Sequence, residues 1–328
     1  MIPKVLFLWH SDLGSIERHR RENTFQPVED LAELRIEWPD ELTPEDLLGV
    51  EVLVCFPVDF REEFVQWSDQ LRWIHSLAAG VDGLMIPRVK NTDILITNSS
   101  GIHSHSMSEQ AFGMIFSFNR GFAEFARQQT RHEWKREFEF SEAHGKTLGI
   151  LGVGAIGSEI AKIGKCLGME VIGTQRNPTQ RNPTKEERQI TLYPPEETPA
   201  VLKRSDYVVI SLPLTEETEG SIGRRQFEEM KDTAYLINVA RGDIVNQDEL
   251  VEALNVGEIA GAGLDVFEEE PLPEDSSLWD MDRVIITPHV GGRSPIYLQR
   301  GMEQLGEELQ RYVNEEELKN EVDKEIEY

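Results

Sequence analysis

The stretch TLGILGVGAIGSEIAKIGKCLG, residues 147–168, decides the fold class of this chain. It begins with an apolar run, passes through the pattern G-x-G-x-x-G at 152–157, and continues into a segment with helical periodicity. A lone glycine pattern is a weak signal, because glycine is common. Between a predicted strand and a predicted helix, however, the pattern is typical of a turn that binds a dinucleotide.

Each glycine of the pattern has a physical reason. Gly152 permits a tight turn, Gly154 lets the backbone approach a pyrophosphate, and Gly157 lets the helix pack on the strand. The N-terminus of the following helix offers N–H groups and the positive end of its dipole to that pyrophosphate. We therefore favour dinucleotide binding over the alternative, a glycine-rich turn that binds nothing.

Short apolar runs that end in polar or turn residues alternate with helical candidates along the chain. The predicted strands are 4–9, 51–56, 72–77, 93–98, 147–152, 169–174, 207–212, 234–239, 260–266 and 283–288. A short helix is predicted at 43–49, with Thr43 as its N-cap and Pro44 at its first position. A long helix is predicted at 105–128, and the charged segment 295–328 is helix-like. This alternation predicts an α/β fold with parallel sheets.

The length and charge of the chain limit what it can do. Its 328 residues are enough for two domains with a sizeable core. The net charge of −27 argues against unaided binding to nucleic acid or to an anionic membrane. No apolar run is long enough to span a membrane, and the N-terminal segment lacks the layout of a signal peptide. We therefore expect a cytoplasmic protein.

Two further features of the composition bear on the protein's environment. Cys55 and Cys166 lie in apolar contexts, so we expect buried free thiols, which suit a reducing cytoplasm. Sixty acidic residues stand against 33 basic ones. This balance is expected of a protein adapted to high salt, where screening relieves charge repulsion, but an ordinary acidic cytoplasmic protein explains it equally well.

The residues after the predicted strand 169–174 bear on the choice of cofactor. Gln175 stands about 20 positions beyond the glycines, where a carboxylate would accept hydrogen bonds from the adenosine ribose, and Arg176 follows it. An extra phosphate on that ribose would meet a guanidinium and no repelling anion. Thr174 and Asn177 add neutral donors. We expect NADP(H) to be preferred, with NAD(H) possible because glutamine can also bind ribose hydroxyls.

The segment 174–183 reads TQRNPTQRNP, so the same five residues occur twice in succession. The second copy supplies another guanidinium, Arg181, which we expect to help less because it lies farther along the loop. The alternative is that the repeat only lengthens a surface loop, which loops tolerate well.

Three polar residues stand out at the ends of predicted strands. Arg241 follows the run 234–239, Glu270 lies in the loop after 260–266, and His289 follows 283–288. In open parallel sheets ligands bind at the carboxyl edge of the strands. A cation, an acid and an imidazole at that edge indicate a site for an anionic carbonyl substrate. Each residue alone would indicate only a surface charge or a polar loop residue whose hydrogen bonds are satisfied.

Five motifs, in the order and spacing found here, closely resemble those of the D-isomer-specific 2-hydroxyacid dehydrogenase family, which includes glyoxylate/hydroxypyruvate reductases. The motifs are GKTLGILGVGAIG, SLPLTEETEG, LINVARGDIV, GLDVFEEEPLP and VIITPHVGG. The resemblance covers about residues 70 to 300. It implies two Rossmann-like domains, a substrate domain at 1–101 plus 292–328 and a dinucleotide-binding domain at 102–291. It also implies an oxidoreductase that reduces small 2-oxo acids, and the family's usual homodimer.

The resemblance also implies roles for particular residues. Arg241 is similar to the arginine that holds the substrate carboxylate and polarises the 2-oxo group. His289 is similar to the family's general acid/base, which also contacts the substrate. Glu270 is similar to the carboxylate that orients this histidine and favours its charged form. Ala79 and Gly80, in the run AAGVD, resemble the loop whose N–H groups bind the substrate carboxylate.

The cofactor contacts implied by the resemblance and by the residues themselves lie on several predicted strand ends. Asp265 among them is similar to the residue that contacts the nicotinamide amide. The predicted cofactor residues are Gly152, Gly154, Ala155, Ile156, Gly157, Thr174, Gln175, Arg176, Asn177, Leu212, Pro213, Val239, Ala240, Asp265 and Gly291.

Other assignments have less support from the sequence. The same resemblance includes co-repressors that bind a dinucleotide and act through partners, and formate dehydrogenases, which carry glutamine where Glu270 stands.

His103 and His105 lack companion ligands, so we expect no metal site. His75 is expected to pack in the core. Trp279 is expected to pack as well, with the pocket of a neighbouring subunit as the alternative.

Overall fold

The computed structural model of the chain describes residues 2–9, 13–176 and 190–325. It divides into two compact units, Met1–Ile102 with Ser294–Tyr328, and His103–Arg293. Each unit contains one parallel sheet covered by helices, so the predicted α/β class is confirmed. No helix in the described ranges combines the length and apolar character that crossing a membrane requires.

The regular elements follow one another in the alternating order expected of parallel sheets. The strands are β1 (Lys4–Leu8), β2 (Glu33–Glu37), β3 (Val52–Cys55), β4 (Trp73–Ser76), β5 (Leu95–Asn98), β6 (Thr147–Leu151), β7 (Glu170–Thr174), β8 (Thr191–Tyr193), β9 (Tyr207–Ile210), β10 (Tyr235–Asn238), β11 (Gly261–Leu264) and β12 (Val284–Ile286). The α-helices are α1 (Leu13–Arg21), α2 (Gln26–Glu29), α3 (Glu63–Trp67), α4 (Pro87–Lys90), α5 (Ser104–Arg120), α6 (Phe122–Thr130), α7 (Ala155–Cys166), α8 (Thr198–Arg204), α9 (Arg224–Glu229), α10 (Gln247–Val256) and α11 (Tyr297–Val313).

The first unit contains a five-stranded parallel sheet in the order β2-β1-β3-β4-β5. Strands β3 and β4 are buried along their whole length, because helices cover both faces of the sheet. Ser76, the last residue of β4, pairs in register with Asn98, the last residue of β5. Both residues therefore lie at the carboxyl edge of this sheet, where their side chains bind the carbonyls of the loop that follows β4.

The second unit contains a seven-stranded parallel sheet in the order β12-β11-β10-β9-β6-β7-β8. Strand β6 lies between β7 and β9, so the chain winds in opposite directions on its two sides. Such a reversal leaves a crevice beyond the carboxyl ends of the strands, and the glycine-rich turn follows β6 directly. The fold thus places this turn where open α/β sheets bind ligands.

Several elements differ from the sequence-based prediction. The helix predicted at 105–128 is two helices, α5 and α6, because Gly121 adopts a left-handed conformation with φ of 70°. The ring of Phe138 lies 3.0 Å from the place of a Cβ at that glycine. The segment 43–49 forms a short 3₁₀ turn, Pro44–Leu47, in which Asp46 accepts a hydrogen bond from the N–H of Thr43. Strands β2 and β8 had not been predicted.

The C-terminal segment and one cysteine also differ from the sequence-based prediction. The helix-like segment 295–328 is helical only in α11, after which the described chain runs on without helix and buries Leu318 and Val322. The tail is therefore held by burial of these two side chains and by an antiparallel backbone bridge between Glu321 and Thr97 of β5, although its charge suggested a solvated helix. Cys166 was predicted to be buried but is exposed, because it lies on the outer face of α7. Cys55 is buried as predicted.

Candidate active site

The glycine-rich turn after β6 is packed too tightly for side chains. Gly152 has φ of 96°, and a Cβ there would lie 2.8 Å from the carbonyl oxygen of Ser211. A Cβ at Gly157 would lie 2.4 Å from the carbonyl oxygen of Gly152. Ser211 Oγ donates to the same Gly152 oxygen at 2.8 Å, which holds the turn against the strand end of β9. The turn is therefore a cradle in which positions 152 and 157 accept only glycine.

This cradle fits the pyrophosphate of a dinucleotide. Helix α7 begins at Ala155, and no side chain caps the Gly154 end of the helix. No acidic residue lies in its first turn, so the positive end of the helix dipole is not neutralised locally. Ala155 is exposed and Ile156 half-buried at this end. Backbone N–H groups and a positive dipole end are the donors that an anionic pyrophosphate requires.

The end of β7 carries the residues predicted to choose the cofactor. Thr174 is buried, and its Oγ1 accepts a hydrogen bond from the Gly152 N–H at 3.2 Å. Gln175 donates from Nε2 to the Val153 carbonyl at 2.9 Å, which ties its amide to the glycine-rich turn. Arg176 is exposed. The predicted contacts of Asn177 and Arg181 lie outside the described residues.

Arg241 follows β10 in a turn that its neighbours hold firmly. Asn238 binds both sides of the turn, since its Nδ2 donates to the Arg241 carbonyl at 2.9 Å and its Oδ1 accepts from the Ala240 N–H at 3.0 Å. The guanidinium of Arg241 donates to the Ala240 carbonyl at 2.9 Å, and its side chain is half-buried. Gly242 packs directly on the backbone of Phe267. The turn is therefore joined to the loop after β11.

Glu270 and His289 are in direct contact. Glu270 Oε2 lies 2.7 Å from His289 Nδ1, and Oε1 of the same carboxylate accepts from the Phe267 N–H at 3.0 Å. An ionised carboxylate only accepts hydrogen bonds, so in this pair Nδ1 carries the hydrogen. The other ring nitrogen, Nε2, is thereby left to exchange a proton with a ligand. The side chains are 48% exposed for His289 and 35% for Glu270, so both are accessible within this unit.

The backbone of His289 is held in an uncommon conformation. Its φ is 50°, in the left-handed region that residues other than glycine seldom adopt. The His289 N–H donates to the Asp265 carbonyl at 2.8 Å, and the Asp265 carboxylate accepts from the N–H groups of Val290 and Gly291. Thr287 Oγ1 donates to the same carboxylate at 2.5 Å. Asp265 is buried and fixes the loop that carries His289, and its predicted contact with a nicotinamide amide stays a prediction.

In the first unit, the loop after β4 is held through its carbonyl groups. Ser76 Oγ donates to the carbonyls of Ala78 and Gly80, and Asn98 Nδ2 donates to the Ala79 carbonyl at 2.8 Å. Among the described residues no acceptor is found for the N–H groups of Ala79 and Gly80. Both residues are half-buried after the end of β4, and two neighbouring N–H donors there suit a carboxylate. The sequence did not indicate Ser76 or Asn98, although each ends an apolar run.

The remaining predicted cofactor residues follow strands of the seven-stranded sheet in the second unit. Leu212 and Pro213 are half-buried after β9, while Val239 and Ala240 are buried after β10. Gly291 has no room for a side chain, since a Cβ would lie 2.8 Å from Asp265 Oδ2.

The other histidines do not assemble a site within the described part of the chain. His75 is fully buried, and this burial lowers its pKa to about 3, so the ring is neutral and packs as predicted. His103 binds the Gly292 carbonyl, and His105 lies 3.3 Å from Glu159. No cluster of three metal-ligating side chains occurs in the described ranges. Trp279 is half-exposed and donates to the Pro273 carbonyl.

Comparison with known proteins identifies the family of the chain. A family model for the D-isomer specific 2-hydroxyacid dehydrogenase NAD-binding domain matches residues 112–291. Glyoxylate reductase from Korarchaeum cryptofilum is 31% identical over 308 residues, covering 90% of each chain. A D-isomer specific 2-hydroxyacid dehydrogenase from Xanthobacter autotrophicus Py2, solved with NADPH and MES, has a TM-score of 0.85 at 28% identity over 100% of both chains. NADPH-dependent glyoxylate/hydroxypyruvate reductase from Sinorhizobium meliloti, solved with NADP and sulfate, has a TM-score of 0.82 at 25% identity over 100% of both chains.

The chain belongs to the D-isomer specific 2-hydroxyacid dehydrogenase family. It is an NAD(P)-dependent oxidoreductase of 2-oxo and 2-hydroxy acids with two Rossmann-like domains. The enzyme assignment made from the motifs is therefore confirmed, and the co-repressor alternative is set aside.

Proposed function

We propose that the protein reduces a small 2-oxo acid such as glyoxylate or hydroxypyruvate, with His289 as the proton donor. The observation that carries this proposal is the 2.7 Å contact between His289 Nδ1 and Glu270 Oε2, in the unit that also contains the glycine-rich turn. Glyoxylate reductase activity of the Korarchaeum and Sinorhizobium relatives supports the substrate class.

The chain's own residues would handle the substrate and the proton. When bound, the nicotinamide supplies the hydride. Arg241 binds the substrate carboxylate and the neighbouring 2-oxo group through its planar guanidinium, which suits two oxygens better than an ammonium does. His289 gives the proton on Nε2 to the carbonyl oxygen, and Glu270 stabilises the positive ring and fixes its orientation. The Phe267 N–H holds Glu270 in place for this task.

Two further roles belong to this proposal. The N–H groups of Ala79 and Gly80 bind the substrate carboxylate, supported by the side-chain bonds that take up the carbonyls of their loop. Residues 1–101 plus 292–328 form the substrate domain, and residues 102–291 form the dinucleotide-binding domain.

We also propose that NADP(H) is the preferred cofactor and that NAD(H) is used less well. The chain has no carboxylate at position 175, and exposed Arg176 directly follows the strand end. A guanidinium forms charge-assisted hydrogen bonds with a ribose phosphate. The two structural relatives that bound NADPH or NADP support the same preference.

We propose a homodimer, the assembly that the family resemblance implies. Trp134 is 87% exposed and Phe122 is 59% exposed, and we propose these aromatic side chains of the second unit as contacts with a second copy. Light scattering should give twice the 37.5 kDa chain mass for the parent protein. A Trp134→Asp variant is expected to shift toward the monomer, and a parent mass of one chain would remove the dimer proposal.

We propose a cytoplasmic location, because both cysteines are unpaired thiols. Burial raises the pKa of the Cys55 thiol well above its ordinary value, so that this residue stays inert, while Cys166 is exposed. Fractionation of the source cells would test the location, and recovery of the enzyme outside the cytoplasmic fraction would contradict it.

The substrate proposal is tested by a panel of 2-oxo acids with both reduced cofactors. Glyoxylate, hydroxypyruvate, pyruvate and longer 2-oxo acids are each assayed with NADPH and with NADH. We expect the smallest acids to give the highest kcat/KM, and NADPH to exceed NADH. If no acid of the panel oxidises either cofactor, the proposed activity is wrong.

A further inference from the structure

The guanidinium of Arg176 already has an anionic partner. Its Nη2 lies 3.3 Å from Oε2 of Glu217, which is 41 positions further along the chain. Both side chains are accessible, with 41% of Arg176 and 80% of Glu217 exposed. An anionic ligand that binds this guanidinium therefore competes with the carboxylate, and the exposure of both side chains leaves them free to exchange partners.

The position of Glu217 is set by a well-ordered turn after β9. Thr218 Oγ1 donates to the Pro213 carbonyl at 2.6 Å and accepts from the Thr215 N–H at 2.9 Å. Thr215 is buried, and the Gly220 N–H donates to the Asp243 carbonyl at 2.7 Å. The backbone that presents Glu217 is thus fixed at both ends. The glutamate side chain can therefore turn away from Arg176 without movement of its backbone.

We propose that Glu217 determines how strongly the enzyme discriminates between NADP(H) and NAD(H), by competing with the ribose 2′-phosphate for Arg176. This inference rests on the proposed preference for NADP(H). A bound 2′-phosphate displaces the carboxylate from the guanidinium, and Glu217 turns into solvent. NAD(H) carries no group that requires this exchange, so Glu217 weakens the binding of NADP(H) alone.

The expected size of the effect follows from charge and exposure. The phosphate carries about −1.5 to −2 charges near neutral pH, and a carboxylate a few ångströms away repels it. Exposed ion pairs are weak, and their interactions are screened within about 10 Å at 0.1 M salt and about 3 Å at 1 M. Removing the charge of Glu217 should tighten binding of a 2′-phosphate ligand by about 3- to 10-fold at 0.1 M salt. At 1 M salt the gain should fall below about twofold.

The neighbouring Glu216 provides a matched control. It is exposed on the same turn and carries the same charge, but Glu217 is the residue within ion-pair distance of Arg176. Glu216→Gln and Glu217→Gln therefore change the net charge equally and differ only in the contact. A general electrostatic effect of the acidic turn would appear in both variants.

The test is calorimetric titration of the full chain with two cofactor fragments, adenosine 2′,5′-bisphosphate and AMP, which need no catalysis. Glu217→Gln should lower the Kd of the bisphosphate by about 3- to 10-fold and leave that of AMP unchanged, while Glu216→Gln should change neither by more than about twofold. Arg176→Ala should raise the Kd of the bisphosphate by at least about tenfold. In that background Glu217→Gln should have no further effect.

The outcomes separate this inference from the proposed cofactor preference. If Arg176→Ala weakens the bisphosphate but Glu217→Gln matches Glu216→Gln, the NADP(H) preference stands and the competition is wrong. An effect of Glu217→Gln that persists without Arg176 is equally contrary to the competition. If Arg176→Ala leaves the bisphosphate Kd unchanged, the proposed role of Arg176 in NADP(H) binding fails, and the competition fails with it.

Discussion

Gly242 and Phe267 are in backbone contact, since a Cβ at position 242 would lie 1.9 Å from the carbonyl carbon of Phe267. This contact joins the turn that carries Arg241 to the loop that carries Glu270. The Phe267 N–H in turn donates to Glu270, which contacts His289. The spacing of the three proposed catalytic side chains therefore depends on the absence of a side chain at one glycine.

Gly242→Ala should accordingly disturb the active site. The added methyl forces the two loops apart, which we expect to lower kcat/KM by at least about tenfold and stability by about 1–3 kcal/mol. Gly113→Ala is the matched control, because a Cβ at Gly113 in α5 meets nothing within 4 Å. Steady-state kinetics and urea unfolding of both variants provide the measurement. Normal kinetics of Gly242→Ala would show that the contact does not set the geometry.

Asn98 should affect the substrate more than the cofactor. Asn98→Asp keeps the shape of the side chain but replaces the Nδ2 donor to the Ala79 carbonyl by a repelling oxygen. We expect KM for the 2-oxo acid to rise by about 5- to 30-fold, with KM for NADPH unchanged. Asn91→Asp, an exposed change in the same unit, is the control. A parallel rise of both KM values would indicate general damage to the unit and contradict a positioning role.

His75 should make the protein less stable in mild acid. Its ring is buried among Trp73, Thr97 and Ser99, and desolvation lowers its pKa to about 3 from 6.5. Between these values the unfolded chain binds a proton that the folded chain does not, so stability falls as pH drops below 6.5. The contribution lost between pH 7 and pH 5 is about 2 kcal/mol.

The measurement for His75 is urea unfolding of the parent and His75→Gln at pH 7 and pH 5. The variant lacks the titrating ring, so its loss of stability over this interval should be about 2 kcal/mol smaller than that of the parent. Equal losses in the two proteins would show that the buried ring does not control this pH dependence.

The charge of the chain predicts a dependence of stability on salt. Sixty acidic residues against 33 basic ones repel one another at low ionic strength, and 1 M potassium chloride shortens the screening length to about 3 Å. We expect Tm, measured by circular dichroism, to rise between 0.1 M and 1 M potassium chloride. A flat or falling Tm would contradict adaptation to high salt and favour the alternative, an ordinary acidic protein.

The sequence predicted those parts of the fold that local patterns encode. Strand β6, the glycine-rich turn and helix α7 were predictable because apolar periodicity and three glycines coincide there. Strands β2 and β8 were missed, since both are short edge strands without a continuous apolar run. The break at Gly121 was missed because apolar residues occur on both sides of it and a single glycine does not by itself end a predicted helix.

The candidate site was predictable only one side chain at a time. Arg241, Glu270 and His289 stood out because each follows an apolar run, which marks a strand end. The residues that hold such side chains and loops in place do so through contacts between distant parts of the chain. Such contacts leave no local pattern in the sequence. Thus Asn98 holds Ala79 across 19 residues, and Glu217 reaches Arg176 across 41 residues.

The central claim, that His289 donates the proton, is tested most directly by single-turnover oxidation of bound NADPH with saturating glyoxylate. His289→Ala should slow this step by about 10²–10⁴-fold while the Kd of NADPH stays within about twofold. His105→Ala removes another exposed histidine that lies near a carboxylate, Glu159, and should leave the rate unchanged. A rate in His289→Ala within about threefold of the parent, with NADPH bound normally, would contradict the account.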